Sequence, residues 1–255
     1  MAKRRSWWSN SALRQAIALP EGGGGLRSLF GATDTGFFFD RMGTSILFQD
    51  TAATTPIAAD SDPVGRANDQ SGLGNNVVQA TGTKRPFWFS NAGKPYIKGD
   101  AVDDSLNGSW VPTSAGAIAI AIRPFITSEI SIGSKATSDR AFIGTDTGGK
   151  ISAGIATVGQ TVIFGGSDAR GVDTVAIVTW NGTTVTLWRD GVSIYSGAQV
   201  GTVASAQGVS ICALNNNGTV GSFSAARVYA AMGISRVPSA AEIALITSQF
   251  QRTYQ

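Results

Sequence analysis

The amino-acid sequence predicts an all-β protein, a β-sandwich of jelly-roll type that ends in one helix. The dipeptides Asn181-Gly182 and Asp190-Gly191 have the composition of type I′ turns, and β-branched and aromatic residues alternate around them across residues 174–197. This pattern predicts a three-stranded antiparallel meander. The 32 glycines and the 15% of charged residues also suit many short strands joined by tight turns. Two packed antiparallel sheets are therefore expected over residues 37–236.

Further strands are expected on both sides of the meander. Before it, residues 117–125 predict a buried strand that Pro124 ends, and residues 140–146 and 150–158 predict two strands around a glycine-rich turn. After it, residues 208–215 and 222–235 each predict strand structure. The C-terminal helix is expected near residues 239–252, because Ser239 and Glu242 have the spacing of a capping box. Its apolar residues recur on one helical face, namely Ile243, Ile246 and Phe250.

The first 25 residues are expected to form a separate anchoring arm with a glycine linker, and residues 26–255 the sandwich domain. Trp7 and Trp8 precede a short helix candidate with Leu13 and Ile17 on one side, and four glycines follow at 22–25. Two adjacent tryptophans suit an anchor, so these four apolar residues form the candidate assembly site. Insertion into a neighbouring subunit is favoured over packing on the arm's own domain. A homo-oligomer is therefore expected.

Composition excludes several kinds of chemistry. The chain has no histidine, which removes Ser-His-Asp and Cys-His catalysis and histidine-bound metals. Its single cysteine, Cys212, leaves no internal disulfide and is expected in the core. The net charge is only +3, with one dense basic cluster from Lys3 to Arg5, so no nucleic-acid partner is expected. The sequence lacks an apolar run of about 20 residues and a signal-peptide pattern, so assembly in the cytoplasm without a membrane partner is expected.

Two local patterns match functional motifs by spacing, but both favour turns. Residues 144–150 have the spacing of a phosphate loop, yet Ile151 stands where a Ser or Thr would bind magnesium, so a hairpin turn is favoured. The Asn-Gly-Ser/Thr patterns that begin at residues 107, 181 and 217 match glycosylation sites. Asn-Gly is typical of turns in an all-β chain, so turns are favoured there as well.

The acidic residues give weak evidence for a cation site and none for catalysis. Asp100, Asp103 and Asp104 carry oxygens that suit calcium, but solvated turn residues are favoured, and no metal or other cofactor is expected. Glu129 lies in a predicted strand without acidic residues at positions 131 and 133, whereas glycoside hydrolysis needs two carboxylates across a cleft. The protein is therefore not expected to be an enzyme.

Two tryptophans, Trp88 and Trp110, are candidate glycan-binding residues. Alternation along a strand would place Trp88 on the face opposite Phe87 and Phe89. An exposed tryptophan on a sandwich stacks on a sugar ring, whereas a buried one packs in the core. The core is favoured for Trp88.

Residues 39–89 together with residues 95–106 resemble a segment of virion proteins of tailed bacteriophages, which carry a laminin-G-like, concanavalin A-like lectin/glucanase domain. The C-terminal half adds RDG at 189–191, SFSAARVY at 222–229 and a helix that opens with Ser-x-x-Glu. The resemblance covers about residues 37–250. The residues that carry it are Phe48-Gln49-Asp50, Thr54-Thr55-Pro56, Pro63-Val64-Gly65, Asp69-Gln70-Ser71-Gly72, Asn75-Asn76, Gln79-Ala80-Thr81, Arg85-Pro86 and Gly99 to Leu106.

The resemblance implies a concanavalin A-like jelly-roll sandwich in a virion protein assembled in the host cytoplasm. It also implies that residues 47–65 wrap the sandwich edge, with Leu47, Phe48, Ile57 and Val64 docked. The leading expected function is a non-enzymatic fibre, spike or decoration subunit, attached through residues 1–25 to capsid, tail or baseplate proteins. The alternative is a receptor-recognition module for host surface polysaccharide, and the two roles are compatible. The chain lacks the acidic strand motif of the family's enzymes.

Overall fold

The computed structural model describes residues 24–137, 139–157, 162–203 and 207–255. The arm residues Trp7, Trp8, Leu13 and Ile17 lie outside the described residues, so the anchoring hypothesis stays a prediction. Within the described part of the chain, no helix is long and apolar enough to cross a membrane. Two β-sheets packed face to face, with one helix of three turns at the C-terminal end, confirm the predicted β-sandwich.

The first sheet has eight strands, numbered here in chain order: β1 (Gly36–Phe39), β5 (Phe87–Asn91), β6 (Lys94–Lys98), β8 (Gly116–Arg123), β13 (Thr174–Trp180), β14 (Thr184–Arg189), β15 (Val192–Ala198) and β19 (Arg227–Ile234). Their order across the sheet is β15-β14-β13-β8-β19-β6-β5, and β1 also pairs with β19. Neighbouring strands are antiparallel. The edge strand β15 therefore lies at the opposite side of this sheet from β5.

The second sheet has eleven strands: β2 (Leu47–Phe48), β3 (Arg66–Ala67), β4 (Val77–Val78), β7 (Leu106–Gly108), β9 (Ile130–Lys135), β10 (Asp139–Thr145), β11 (Lys150–Thr157), β12 (Ile163–Asp168), β16 (Ser210–Ile211), β17 (Leu214–Asn216) and β18 (Thr219–Gly221). Their order is β12-β11-β10-β9-β16-β7-β4-β3-β2, with β17 beside β9 and β18. The β17–β9 pair is parallel, a local departure from the antiparallel pairing that was predicted.

The helices are α1 (Gly24–Arg27), a 3-10 turn (Gly82–Lys84) and α2 (Ala240–Gln251). The capping box of α2 is confirmed, because Glu242 N donates to Ser239 Oγ at 3.3 Å and Ser239 N donates to Glu242 Oε2 at 2.7 Å. The start of α1 lies inside the stretch expected to be a linker. Leu26 is fully buried in the apolar cluster around α2, and its burial accounts for the order of this turn.

The meander is confirmed as β13, β14 and β15, but its two turns differ. Asp190 and Gly191 both have positive φ, 52° and 81°, as a two-residue type I′ turn requires. Asn181 does not have a positive φ, and its Oδ1 instead accepts hydrogen bonds from Thr183 N and Thr184 N. The first turn is therefore a longer loop held by an asparagine side chain rather than the predicted type I′ turn.

Other predicted strands are present with changed limits. The strand predicted across residues 208–215 is broken at Cys212, which has a φ of 65° between β16 and β17. Its thiol is fully buried, which confirms the expected core position, and burial raises the pKa of that thiol far above its usual value. The glycine-rich turn after β10 is confirmed as a hairpin, where Asp146 Oδ1 accepts from Gly148 N and Lys150 N.

The core has two layers. The larger lies between the sheets, and the smaller lies between α2 and the outer face of the first sheet, where Ile243, Ile246 and Phe250 pack as the sequence predicts. The stretch 47–65 wraps the second sheet's edge, with Leu47 and Val64 fully buried. Its turns are held by carboxylates, since Asp50 accepts from Thr54 N and Thr55 N, and Asp62 accepts from Ala58 N and Ala59 N.

Candidate functional site

One side of the sandwich is open. The strands β15 and β12 each end their own sheet, and each pairs on one side only within the described structure. They come close at Gly165, where a Cβ atom would lie 2.7 Å from the carbonyl oxygen of Ile194. A side chain at position 165 would therefore push the two strands apart. Edge strands keep alternate backbone N–H and C=O groups free to bond a ligand.

A cleft of about 390 Å³ lies beside this contact. Its volume falls within the range of small-molecule sites, and its walls combine apolar side chains with a few polar groups, as such sites do. The residues that line it are Ile155, Val162, Ile163, Phe164, Val185, Tyr195, Ala198, Gln199 and Val200.

Two aromatic residues, Phe164 and Tyr195, are among those that line this cleft. Phe164 is 47% exposed, and the ammonium nitrogen of Lys150 lies 5.6 Å from the centre of its ring. Tyr195 is half-buried and packs against the core between the sheets. A Cβ atom at Gly197 would lie 2.5 Å from Tyr195 Oη, so glycine at that position makes room for the phenol. The rings are therefore held by strands rather than by loops.

The polar wall of the cleft is the side chain of Gln199. Its Oε1 accepts a hydrogen bond from Gly182 N at 2.9 Å, and its Nε2 donates to the carbonyl of Gly201 at 3.1 Å. These two bonds fix the amide between the loop after β13 and the chain after β15. An amide held beside two aromatic rings can bind the hydroxyl groups of a sugar while the rings contact its apolar face. An amide is too weak an acid to serve as a catalytic proton donor.

The two tryptophans proposed from the sequence do not line this cleft. Trp88 is 7% exposed, and its indole N–H donates to the carbonyl of Met42 at 2.7 Å. Trp110 is 3% exposed and packs edge-on against Phe37, with 5.5 Å between ring centres. Both rings therefore pack in the core, as was favoured for Trp88, and neither Trp88 nor Trp110 is exposed enough to stack on a sugar.

The three aspartates proposed as weak cation ligands do lie together. Oxygens of Asp100, Asp103 and Asp104 are within 4.8 Å of one another. Asp100 Oδ1 accepts from Val102 N and Asp103 N, and Asp104 Oδ2 accepts from Asp100 N, so these carboxylates already hold their own turn. Burial, followed by repulsion from Asp100, raises the pKa of Asp104 to about 7. One of the three carboxylates therefore becomes neutral below about pH 7.

Glu129 is 1% exposed and lies away from the cleft. Its Oε2 accepts from Ser224 Oγ at 3.0 Å and from Ala225 N at 2.9 Å, while Oε1 has no hydrogen-bond partner in the part of the chain that the structure describes. Burial raises the pKa of this carboxyl above its usual range. A raised pKa suits a general acid, but a side chain enclosed to this degree does not meet a polysaccharide.

A shallower groove of about 190 Å³ lies on the outer face of the first sheet, between β14 and the start of α2. Trp188 forms part of its wall, and its buried indole N–H has no hydrogen-bond partner among the described residues. Thr184 and Thr186 contribute hydroxyls beside it. Trp180 also lines the groove but is only 1% exposed, whereas Phe164 in the cleft is 47% exposed, so the cleft is the stronger candidate.

Sequence reasoning missed Phe164 and Tyr195: the strand of Phe164 was not predicted, and Tyr195 lies in the predicted meander without a local feature that marks a binding site. Only the topology shows that both strands end their sheets on the same side. The GG pair at Gly165 and Gly166, directly after Phe164, was the available signal, since glycine inside a strand marks a close approach of backbone.

Comparison with known proteins defines the fold but no family. No protein-family model matches the chain, and no curated protein matches it in sequence. Domain 4 of AbnA, an extracellular arabinanase from Geobacillus stearothermophilus solved with arabinotriose, superposes with a TM-score of 0.53 at 11% identity, covering 71% of this chain and 92% of that domain. This similarity shows a shared β-sandwich fold.

Two larger proteins superpose on a similar share of the chain. The binding domain of Paraclostridial Mosquitocidal Protein 1 gives a TM-score of 0.54 at 11% identity over 75% of this chain and 51% of that one. Trypanosoma rangeli sialidase gives 0.54 at 10% identity over 88% of this chain and 34% of that one. This chain thus spans about half or less of both proteins, and what it shares with them is the fold.

Proposed function

We propose that this protein is a non-enzymatic virion protein of a tailed bacteriophage whose β-sandwich binds glycans of the host surface. The observation that carries the glycan-binding part is the cleft between β12 and β15. Phe164 and Tyr195 offer flat apolar surface there, and Gln199 holds a fixed amide beside them. Sugars bind proteins through this combination of an aromatic ring under the apolar face of the sugar and amides at its hydroxyls.

The non-enzymatic part of the proposal is supported by the surroundings of the one candidate catalytic acid, Glu129. Glu129 is enclosed among Ser224 and the backbone, and no histidine exists in the sequence to replace it. The virion part is supported by the resemblance of residues 39–89 and 95–106 to phage structural proteins, and residues 1–25 are the proposed attachment segment to capsid, tail or baseplate proteins. The neighbour with arabinotriose shows that a sandwich of this fold is compatible with sugar binding.

The cleft is tested by screening the purified protein against neutral oligosaccharides and measuring the best ligand by calorimetry. Phe164→Ala is expected to weaken binding about tenfold, which equals about 1.4 kcal/mol, because stacking on the ring is lost. Leu73→Ala is the control, since Leu73 is an apolar residue of similar exposure, 42%, that lines neither the cleft nor the groove. Equal affinity of wild type and Phe164→Ala would remove the cleft from the proposal.

The attachment segment is tested by deleting residues 2–21. The truncated protein is expected to stay soluble and folded, by circular dichroism, and to be lost from purified particles. Burying one tryptophan removes about 200 Å² from water, on the order of 5 kcal/mol before ordering costs, so losing Trp7 and Trp8 together removes most of the proposed grip. Normal incorporation of the truncated protein would place the anchor elsewhere in the chain.

A further inference from the structure

A row of side chains crosses the outer face of the first sheet at the side away from the cleft. Phe87 on β5 lies opposite Lys98 on β6, Lys98 lies opposite Arg227 on β19, and Arg227 lies opposite Arg123 on β8. Residues directly opposite on antiparallel strands point to the same face. The row therefore runs across four strands at about 4.8 Å per strand. Helix α2 packs over β8 and β13, so the β5 and β6 part of this face lies beyond the helix.

Aromatic rings interleave with the cations of this row. The guanidinium carbon of Arg227 lies 4.7 Å from the ring centre of Tyr96 and 5.4 Å from that of Phe125. The ammonium of Lys98 lies 5.8 Å from the ring centre of Phe125. Phe87 and Phe125 are 41% and 39% exposed. Stacking on the rings holds the Arg227 side chain in place while leaving its charge at the surface.

The charges of the row are only partly neutralised. Arg123 forms a two-point ion pair with Asp173. Among the described residues, no carboxylate oxygen lies within 4.0 Å of a side-chain nitrogen of Lys98 or Arg227, so neither forms an ion pair there. Two cations without a carboxylate thus flank two exposed rings. The name basic aromatic row is used below for Phe87, Lys98, Phe125 and Arg227.

We propose that the basic aromatic row binds an acidic polysaccharide whose sugars carry carboxylates. A guanidinium forms paired hydrogen bonds with a carboxylate, and an exposed phenyl ring packs against the apolar face of a sugar. Two such cations are too few for other polyanions. Anionic membranes are recognised by clusters of about four to eight basic residues, and salt-dependent DNA binding typically involves about six to ten phosphate contacts.

This inference goes beyond the proposed function, because the row and the cleft lie at opposite sides of the first sheet and share no residue. The row would engage an acidic polymer whether or not the cleft binds a neutral sugar. If both sites act, the row supplies charge attraction along a polymer and the cleft supplies selection of one sugar.

The test is calorimetry of the full-length protein with polygalacturonate and with polysialic acid, which both carry one carboxylate per sugar. Fully methyl-esterified polygalacturonate is the matched polymer without charge. Wild type is expected to bind at least one acidic polymer at least tenfold more tightly than the esterified one. Arg227→Gln and Lys98→Gln are each expected to weaken that binding by about tenfold, and Phe87→Ala by about threefold.

The control separates this site from the loss of any one surface charge. Lys84→Gln removes an exposed lysine from the 3-10 turn outside the row, so this variant is expected to bind the acidic polymer as wild type does. Circular dichroism checks the fold of each variant, and Arg227→Lys keeps the charge if Arg227→Gln does not fold. Equal binding of the esterified polymer, no binding of either acidic polymer, or equally tight binding of anionic vesicles or duplex DNA would overturn the proposal.

Discussion

The two sides of the sandwich use aromatic residues in opposite ways. On the side of β2 to β5, the wrapping stretch 47–65 covers the sheet edge, and Trp88 is buried with its indole N–H bonded to Met42. On the side of β12 and β15, Phe164 and Tyr195 line the cleft. The difference is the cover over each edge. Under the covered edge Trp88 becomes part of the core, although Phe87 on the outer face of the same strand stays 41% exposed. At the uncovered edge both Phe164 and Tyr195 line the cleft.

The largest expected effect comes from truncating the covered side. Trp88→Ala removes a buried indole and its hydrogen bond, so the free energy of unfolding is expected to fall by about 3–5 kcal/mol. Phe164→Ala on the open side is expected to cost about 1 kcal/mol or less, because its ring is already half in water. Urea unfolding of both variants measures the contrast. Similar losses at the two positions would show that the cleft side is also built as core.

A pH-dependent effect is expected at the acidic turn on the covered side. The pKa of Asp104 is raised to about 7 by burial and by Asp100, whereas an unfolded aspartate titrates near 3.9. Ionising Asp104 therefore lowers the free energy of unfolding. This loss grows between about pH 4 and pH 7 and reaches its full value above about pH 7. Asp104→Asn is expected to raise the free energy of unfolding by roughly 2–4 kcal/mol at pH 8 and to change it little at pH 4.

Denaturant unfolding at both pH values measures this effect, and Asp103→Asn, which removes the smaller repulsion from a half-buried neighbour, is expected to give a smaller change. The amide oxygen introduced by Asp104→Asn would still accept the hydrogen bond from Asp100 N, so the comparison isolates the charge. If the three aspartates bound calcium in solution, Asp104→Asn would instead destabilise the protein at pH 8 in the presence of calcium. That result would contradict the assignment of these carboxylates to the turn.

The smallest expected effect is at Glu129. Wild type and Glu129→Gln are both expected to release no reducing ends from host polysaccharide, because the carboxyl group is enclosed and faces no cleft. The assay is reducing-sugar release over long incubation. Release by wild type that disappears in Glu129→Gln would show that the acid reaches substrate in an opened form of the sandwich.

Those features of the fold that depend on neighbouring residues alone could be predicted from the sequence. The Asp190-Gly191 turn and the Ser239–Glu242 capping box are of this kind, and both form as predicted. The Asn181 loop and the break at Cys212 were missed, because competing side-chain bonds and tertiary packing decide them. Local pattern therefore predicts the fold class, while the exact strand limits depend on contacts far away in the chain.

The candidate site was less accessible to sequence reasoning. Trp88 and Trp110 were the candidate sugar-stacking residues, with the core favoured for Trp88, and both are buried, whereas Phe164 is 47% exposed. Trp88 on β5 and Phe164 on β12 both lie in strands that end a sheet, so the end position alone does not decide their exposure. Strand order across a sheet is set by long-range pairing, which the alternation of side chains does not encode. The charges of Lys98 and Arg227 likewise become recognisable as one row only once the cross-strand register is known.

A crystal structure with the best neutral oligosaccharide from the screen tests the central claim most directly. The sugar is expected between β12 and β15, with one ring in van der Waals contact with Phe164 or Tyr195 and a hydroxyl within hydrogen-bonding distance of the Gln199 amide or a free edge-strand carbonyl. A sugar bound elsewhere on the protein, with the cleft filled only by water, would contradict the assignment of this cleft as the glycan site.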